Sequence, residues 1–199
     1  TQSPEAGEKM EKGAVVIIGV NTLEGEDDET STAETGTKDK QEEQDISYLA
    51  EINASSILPS DAVGITYSPY NLIDDDYTTC WAEGSPGYGE GGWVEFSFPR
   101  EVEITKIDFM PGYLKVSKGV DRWLQNGRLQ VVDILFDDGT EVSQAFEDKK
   151  EYQQVTLSRP KKAEKVTIYI VSVYPGEAGS GWEAVEDTSV SEIHIYGYE

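Results

Sequence analysis

A single cysteine, Cys80, and a single histidine, His194, stand in 199 residues. One thiol excludes an internal disulfide, and the pair cannot assemble the soft ligand set that zinc prefers. Positive charge is scarce as well: 16 Lys and Arg face 39 Asp and Glu, a formal charge of -23. Such a charge repels phosphate backbones and anionic headgroups, which argues against nucleic-acid binding and against electrostatic docking on a membrane. The longest apolar run, AVVIIGV at 14–20, falls far short of the roughly 20 residues that cross a bilayer, so no membrane insertion is expected from this segment. Catalytic signatures are also missing. No Ser-His-Asp order is meaningful with one histidine near the end, Cys80 has no evident base, and GYGEGG precedes a strand rather than the helix a phosphate loop requires. The chain is therefore expected not to be an enzyme.

What is present divides in two. Residues 1–46 read as an acidic, largely irregular tail or linker, rich in Glu, Asp, Thr and Gly. Fourteen acidic and four basic residues lie in 1–56, so -10 of the -23 sits in the tail and its junction and -13 in the remainder. Within the tail, VVIIGVNTL is either an edge strand awaiting a partner or an apolar piece of linker. The opening TQSPEAGEKMEKG has no basic n-region and is read as the trimmed start of a longer precursor. Residues 47–199 are of another kind: WVEFSF, VEITKIDFM, RLQVVDILF, TEVSQAF, YQQVTL, KVTIYIVSVY and SEIHIYGY alternate Val, Ile, Phe and Tyr with polar residues, and FDDG supplies a hairpin turn. Seven or eight strands without a convincing helix predict an all-β sandwich. In KVTIYIVSVY both alternating sets are apolar, which predicts a strand covered on each face.

The stretches NLIDDDYTTCW (with Thr79 and Trp81), GEGGWVEFSF and SVSEIHIYGY resemble discoidin, or coagulation-factor type C, domains and the related galactose-binding-like jelly-roll carbohydrate-binding modules. WAEGSPGYGEGGWVEFSF, PGYLK, NGRLQ, DILFDDGT and the ending SVYPGE…DTSVSEIHIYG are similar, more narrowly, to the bacterial NADase-type glycan-binding domain, over about residues 47–198. The resemblance implies a discoidin-like jelly-roll β-sandwich that binds a glycan without catalysis, at the cell surface or outside the cell. The acidic tail would tether it to a missing anchor. A monomer is expected. Two alternatives stay open: a protein–protein interaction or structural domain of the same fold, and a glycosidase using a carboxylate pair among Glu83, Glu90, Glu183 and Asp187.

Three adjacent aspartates repel one another, so fixing them takes a cation, backbone donors or full hydration. Asp74, Asp76 and Thr79, with Glu192 from the last strand, offer hard oxygen ligands for Ca²⁺; the competing reading is a solvated acidic turn. The resemblance implies the metal, a buried structural calcium joining the first loop to the last strand. One departure is Asp75, where the wider pattern has Gly. For the sugar, aromatic faces and planar polar groups are sought in three rim loops: Glu83, Tyr88 and Glu90; Tyr113, Trp123, Asn126 and Arg128; and Trp182 and Asp187. Trp81 and Trp93 read as core, Lys115 as solvated, and Arg128 equally as an ion-pair partner of Glu83 or Glu90.

Overall fold

Pro99 and Pro160 fall inside runs of alternating residues, and in the computed structural model of the chain both lie within long strands instead of between short ones. The structure describes residues 42–60 and 62–199, with the backbone of 2–3 and 17–18. The two backbone fragments, β1 (Gln2–Ser3) and β2 (Ile17–Ile18), pair antiparallel in a first unit, Thr1–Asp39. Most of the acidic tail before residue 42, including most of VVIIGVNTL, lies outside the described residues.

The second unit, Lys40–Glu199, contains β3 (Gln44–Asp45), β4 (Glu51–Ala54), β5 (Trp81–Ala82), β6 (Trp93–Met110), β7 (Val116–Ser117), β8 (Val120–Asp121), the one-turn helix α1 (Arg122–Gln125), β9 (Arg128–Phe136), β10 (Glu141–Ala145), β11 (Gln153–Tyr174), β12 (Ser189–Val190) and β13 (Glu192–Tyr198). The main sheet runs β10-β9-β11-β6-β13-β3, with β4 beside β6. β6 and β11 each serve two layers. The first half of β6 pairs with β4 and the second half of β11; its second half pairs with β13 and the first half of β11. The β6–β11 register slips between Thr156 and Lys161, around Pro160. A proline cannot donate to the ladder, so both strands bend there and the sheet folds over itself. WVEFSF and VEITKIDFM are thus one strand, as are YQQVTL and KVTIYIVSVY.

Side chains of period two fill the space between the layers. Val94, Phe96, Ile104, Ile107 and Phe109 of β6 meet Ile134, Ile168, Ile193 and Ile195 in one continuous core, all nearly inaccessible to solvent. Each such side chain contributes about 1.5–3 kcal/mol by leaving water. Trp81 is buried as expected, its Nε1 donating to Ser56 O at 3.1 Å, while Trp93 is only half-buried. The two-face covering expected of KVTIYIVSVY holds over Val166–Ile168 but fails at Val171, which is exposed. FDDG forms the β9–β10 hairpin: Gly139, at φ +81°, donates to Phe136 O, and Asp138 accepts from Thr140 N at 2.7 Å.

Residues on the tail side of the expected 46/47 boundary also pack on this unit. Gln44 and Asp45 pair with β13, and Ile46 is fully buried, its N–H donating to Ile195 O at 2.8 Å.

Candidate functional site

Two of the three rim loops converge, with a third partner the sequence did not signal. Leu58, Ile65 and Tyr67, with the segments 113–126 and 185–189, enclose a cleft of about 300 Å³, whose lining includes Tyr113, Lys115, Arg122, Asn126 and Asp187. A second hollow beside it shares Ile65, Tyr113 and Lys115 and reaches Thr78 and Thr79. Backbone bonds lock the walls together. Gly127 N donates to Asp187 O at 2.8 Å, Ser189 N to Gly127 O at 3.1 Å, and Val185 N to Gln125 O at 3.0 Å. Gly127 permits this close approach, because a Cβ there would lie 2.8 Å from both Thr188 Oγ1 and the Tyr88 ring.

Each lining side chain has a local reason for its position. Asp121 caps α1, accepting from Trp123 N at 3.1 Å, so the one-turn helix starts at Arg122 and turns that side chain toward the cleft. Asn126 is held by its own Nδ2 donating to Arg122 O at 2.7 Å. Tyr113 is buried and donates its hydroxyl to Thr78 O at 2.8 Å; burial, then the neighbouring Cys80 and Tyr67, raise its pKa. Beneath it lies a small apolar floor of Cys80, Ala82, Leu58 and Tyr67. Burial pushes the Cys80 thiol up to about 12, so it is a packed, inert group and no nucleophile. Asp187 has its pKa raised by burial and then by the charges of Glu83 and Glu186.

Of the nine expected sugar-binding residues, Tyr113, Asn126 and Asp187 meet in this cleft, and the other six do not line it. Arg128 is 2% exposed and every one of its donor groups is engaged: Nε and Nη2 grip Asp148 at 2.8 and 2.7 Å, and Nη1 donates to the carbonyls of Trp123, Asn126 and Pro175. Its ion-pair partners are Asp148 and Glu177, not Glu83 or Glu90. Trp123 is buried and donates Nε1 to Asp148, completing that knot. Trp182 folds over its own loop, its ring filling the space a Gly179 side chain would need. Glu83 is fully buried, accepting from Ser56 Oγ and from Ser85 N at 2.8 Å, and its backbone N–H donates to Thr188 O. Tyr88 accepts from Gly176 N and from Thr188 Oγ1. These two residues buttress the cleft wall from behind. Glu90 is exposed on the same loop, away from the cleft lining. Sequence reasoning missed Tyr67 and Arg122, and set Lys115 aside as solvent-exposed.

The aspartate loop is stitched to β13, as the sequence suggested. Ser191 Oγ donates toward Thr79 O at 3.3 Å, and His194 Nε2 lies 3.7 Å from Asp75 Oδ1. Asp75 sits at φ +57°, the left-handed conformation glycine usually supplies and aspartate tolerates. Asp74 and Asp76 close the turn on themselves. Asp74 accepts from Asp76 N at 2.9 Å and Thr79 Oγ1 at 2.8 Å, and Asp76 accepts from the backbone and hydroxyl of Thr78. Glu192 is fully buried with neither carboxylate oxygen hydrogen-bonded, and such an orphaned anion fits a cation. The neighbouring positive group is His194, whose Nε2 lies 3.4 Å from Glu192 and whose Nδ1 lies 2.7 Å from Asp45. Burial alone would lower the His194 pKa; the bond to Asp45 and the proximity of Glu192 outweigh it and raise it to about 10. Among the described residues no cluster of three His, Cys, Asp or Glu side chains that could hold a metal ion is present. Of the expected calcium ligands, Asp74, Asp76 and Thr79 bond to one another and to Thr78 within the turn, and Glu192 lies beside His194.

The architecture has known counterparts. A family 32 carbohydrate-binding module from C. perfringens NanJ, solved with galactose, is 18% identical over 77% of this chain and 98% of that one, with a TM-score of 0.55. A second Clostridium perfringens module, solved with GalNAc-β-1,3-galactose, is 15% identical over 75% and 96%, with a TM-score of 0.53. A segment of the mycobacterial arabinofuranosyltransferase AftD is 19% identical over 75% of this chain but 11% of that one, with a TM-score of 0.54. Comparison with curated proteins returns no match. These likenesses share the discoidin-like jelly-roll sandwich. The family model for the NAD glycohydrolase translocation F5/8 type C domain matches residues 43–196, and with that span covering most of the chain, this protein belongs to that family.

Proposed function

We propose that the chain is a non-catalytic glycan-binding module whose saccharide sits in the cleft of Tyr67, Tyr113, Asn126 and Asp187. The observation that supports this reading most is the composition of that cleft: aromatic surface for C–H patches, a planar amide, and a carboxylate for adjacent hydroxyls, all held by backbone bonds. The galactose-complexed fold relatives make a saccharide the first ligand to try. Asp187 is the one carboxylate among the lining residues, whereas most glycoside hydrolysis uses two across the scissile bond, which favours binding over turnover as the reading of the cleft. A shallow sugar site gains little buried area, so single-site affinity is weak and retention depends on multiple copies. Display at a bacterial surface or outside the cell, with residues before Gln44 as tether, accords with the translocation-domain family.

The test is glycan binding with substitutions inside and outside the cleft. Asp187→Asn and Tyr67→Ala are expected to weaken binding at least about tenfold, while Trp182→Ala leaves it unchanged. Binding that survives the first two and vanishes with the third would move the site to another loop.

A further inference from the structure

Twelve Lys and Arg side chains lie between Arg100 and Lys165, and eight of them are ion-paired. Among the described residues four have no carboxylate partner: Lys115, Lys118, Arg122 and Arg159. Three of those four line the same cleft. In a chain of formal charge -23, carboxylates to pair with are plentiful, so unpaired cations gathered in one concavity mark a place where the missing anion belongs to a ligand.

The local geometry keeps these cations aimed and separate. Lys118 and Gly119 form the positive-φ tip of the β7–β8 hairpin, at φ 52° and 78°, which holds Lys118 at the rim. Lys115 Nζ stands 6.0 Å from the centre of the Tyr113 ring, over the aromatic wall. Arg122 is steered by Nη1 donating to Gln125 Oε1, which leaves the rest of the guanidinium fork uncommitted. Asp187, the one carboxylate in the lining, forms no salt bridge with any of the three. The cleft therefore carries three positive groups against one negative, inside a strongly negative molecule. That combination discriminates within anions too. A polyanionic chain that runs out of the cleft also meets the surrounding negative surface within a Debye length of about 10 Å, whereas a single anionic substituent reaches the three cations alone.

We infer that the cleft recognises a saccharide carrying an anionic substituent, a carboxylate or a sulfate, through Lys115, Arg122 and Lys118. This rests on the glycan-binding reading above and narrows it to acidic sugars. The experiment uses the full chain on an array of matched neutral, carboxylated and sulfated glycans, followed by calorimetry on the best of each class. Acidic glycans are expected to bind at least about tenfold tighter than their neutral counterparts, as charge-assisted hydrogen bonds provide, with affinity falling as NaCl is raised. The double substitution Lys115→Gln/Arg122→Gln removes the preference, and Arg159→Gln, an unpaired cation outside the cleft, keeps it. Unchanged melting temperatures of these exposed or half-exposed variants show that folding is intact. The carboxylated and sulfated arms identify which anion is read. Equal binding of neutral glycans that still requires Asp187 would overturn the acidic-sugar inference and leave the glycan-binding function standing; no binding in any class would overturn both.

Discussion

Arg122 opens α1 and Arg128 opens β9, on either side of Asn126, yet their surroundings are opposite. Arg128 is buried and donates from all three nitrogens to Asp148 and three carbonyls; Arg122 donates from its side chain to Gln125 and faces the cleft. The difference teaches that an arginine's role is set by how many of its donors the protein already satisfies. A saturated guanidinium fixes the loop, and an unsaturated one is available to a ligand.

Breaking the buried side of this pair carries the largest expected effect. Arg128→Ala leaves Asp148 and the carbonyls of Trp123, Asn126 and Pro175 without their donor, and a loss of about 3 kcal/mol or more is expected in urea unfolding. A loss under about 0.5 kcal/mol would show the knot to be dispensable. Gly112→Ala sharpens the same point. Its Cβ would lie 2.7 Å from the Trp123 ring and 2.9 Å from Arg128 Cγ, so overpacking by about 1–3 kcal/mol is expected from thermal melts. Arg122→Ala, by contrast, should change stability by less than about 0.5 kcal/mol while reducing glycan binding.

The β13 cluster gives a pH test of intermediate size. The His194 pKa rises on folding from 6.5 to about 10, so the charged imidazole's contribution is complete below 6.5 and is lost as pH climbs through about 10. Asp45, Glu192, Asp75 and Tyr152 are the titratable groups facing it. Glu192 works the other way, since burial raises its pKa and folding then favours its protonated form. Wild type minus His194→Gln stability, measured by urea unfolding, is expected to shrink between pH 6 and pH 10; a difference flat across that range would remove the ion pair from the account. The smallest effect concerns calcium. Because His194 already faces Glu192 and the turn engages Asp74 and Asp76, Ca²⁺ or chelator should move Tm by less than about 1 °C. A rise of several degrees with Ca²⁺ would restore the metal.

Alternation in β6, β9, β11 and β13 made the sandwich legible, because burial on one face imposes a period of two whatever the order of strands. Pro99 and Pro160 disguised the continuity of β6 and β11: a bend and a break look alike in a single sequence. The loop joined to β13 was legible from its aspartates, but the direction of those side chains was not, as hydrogen bonds within the turn settle it. The site was harder still. Trp123 and Trp182 have the right chemistry and point into the protein or onto their own loop, which residue type does not reveal. A signal for the missed cations did exist: KVSKGVDR places three of the chain's 16 Lys and Arg within residues 115–122. Against so acidic a background, that cluster was the clue to weigh.

The most direct measurement is an amide NMR titration of the full chain with the best-binding acidic glycan from the array. Shifts confined to residues 113–118, 122–126 and 185–189 are predicted, with those near Trp182 and Glu90 unmoved. Shifts centred on Trp182 and Glu90, or none at saturating glycan, would contradict the cleft as the binding site.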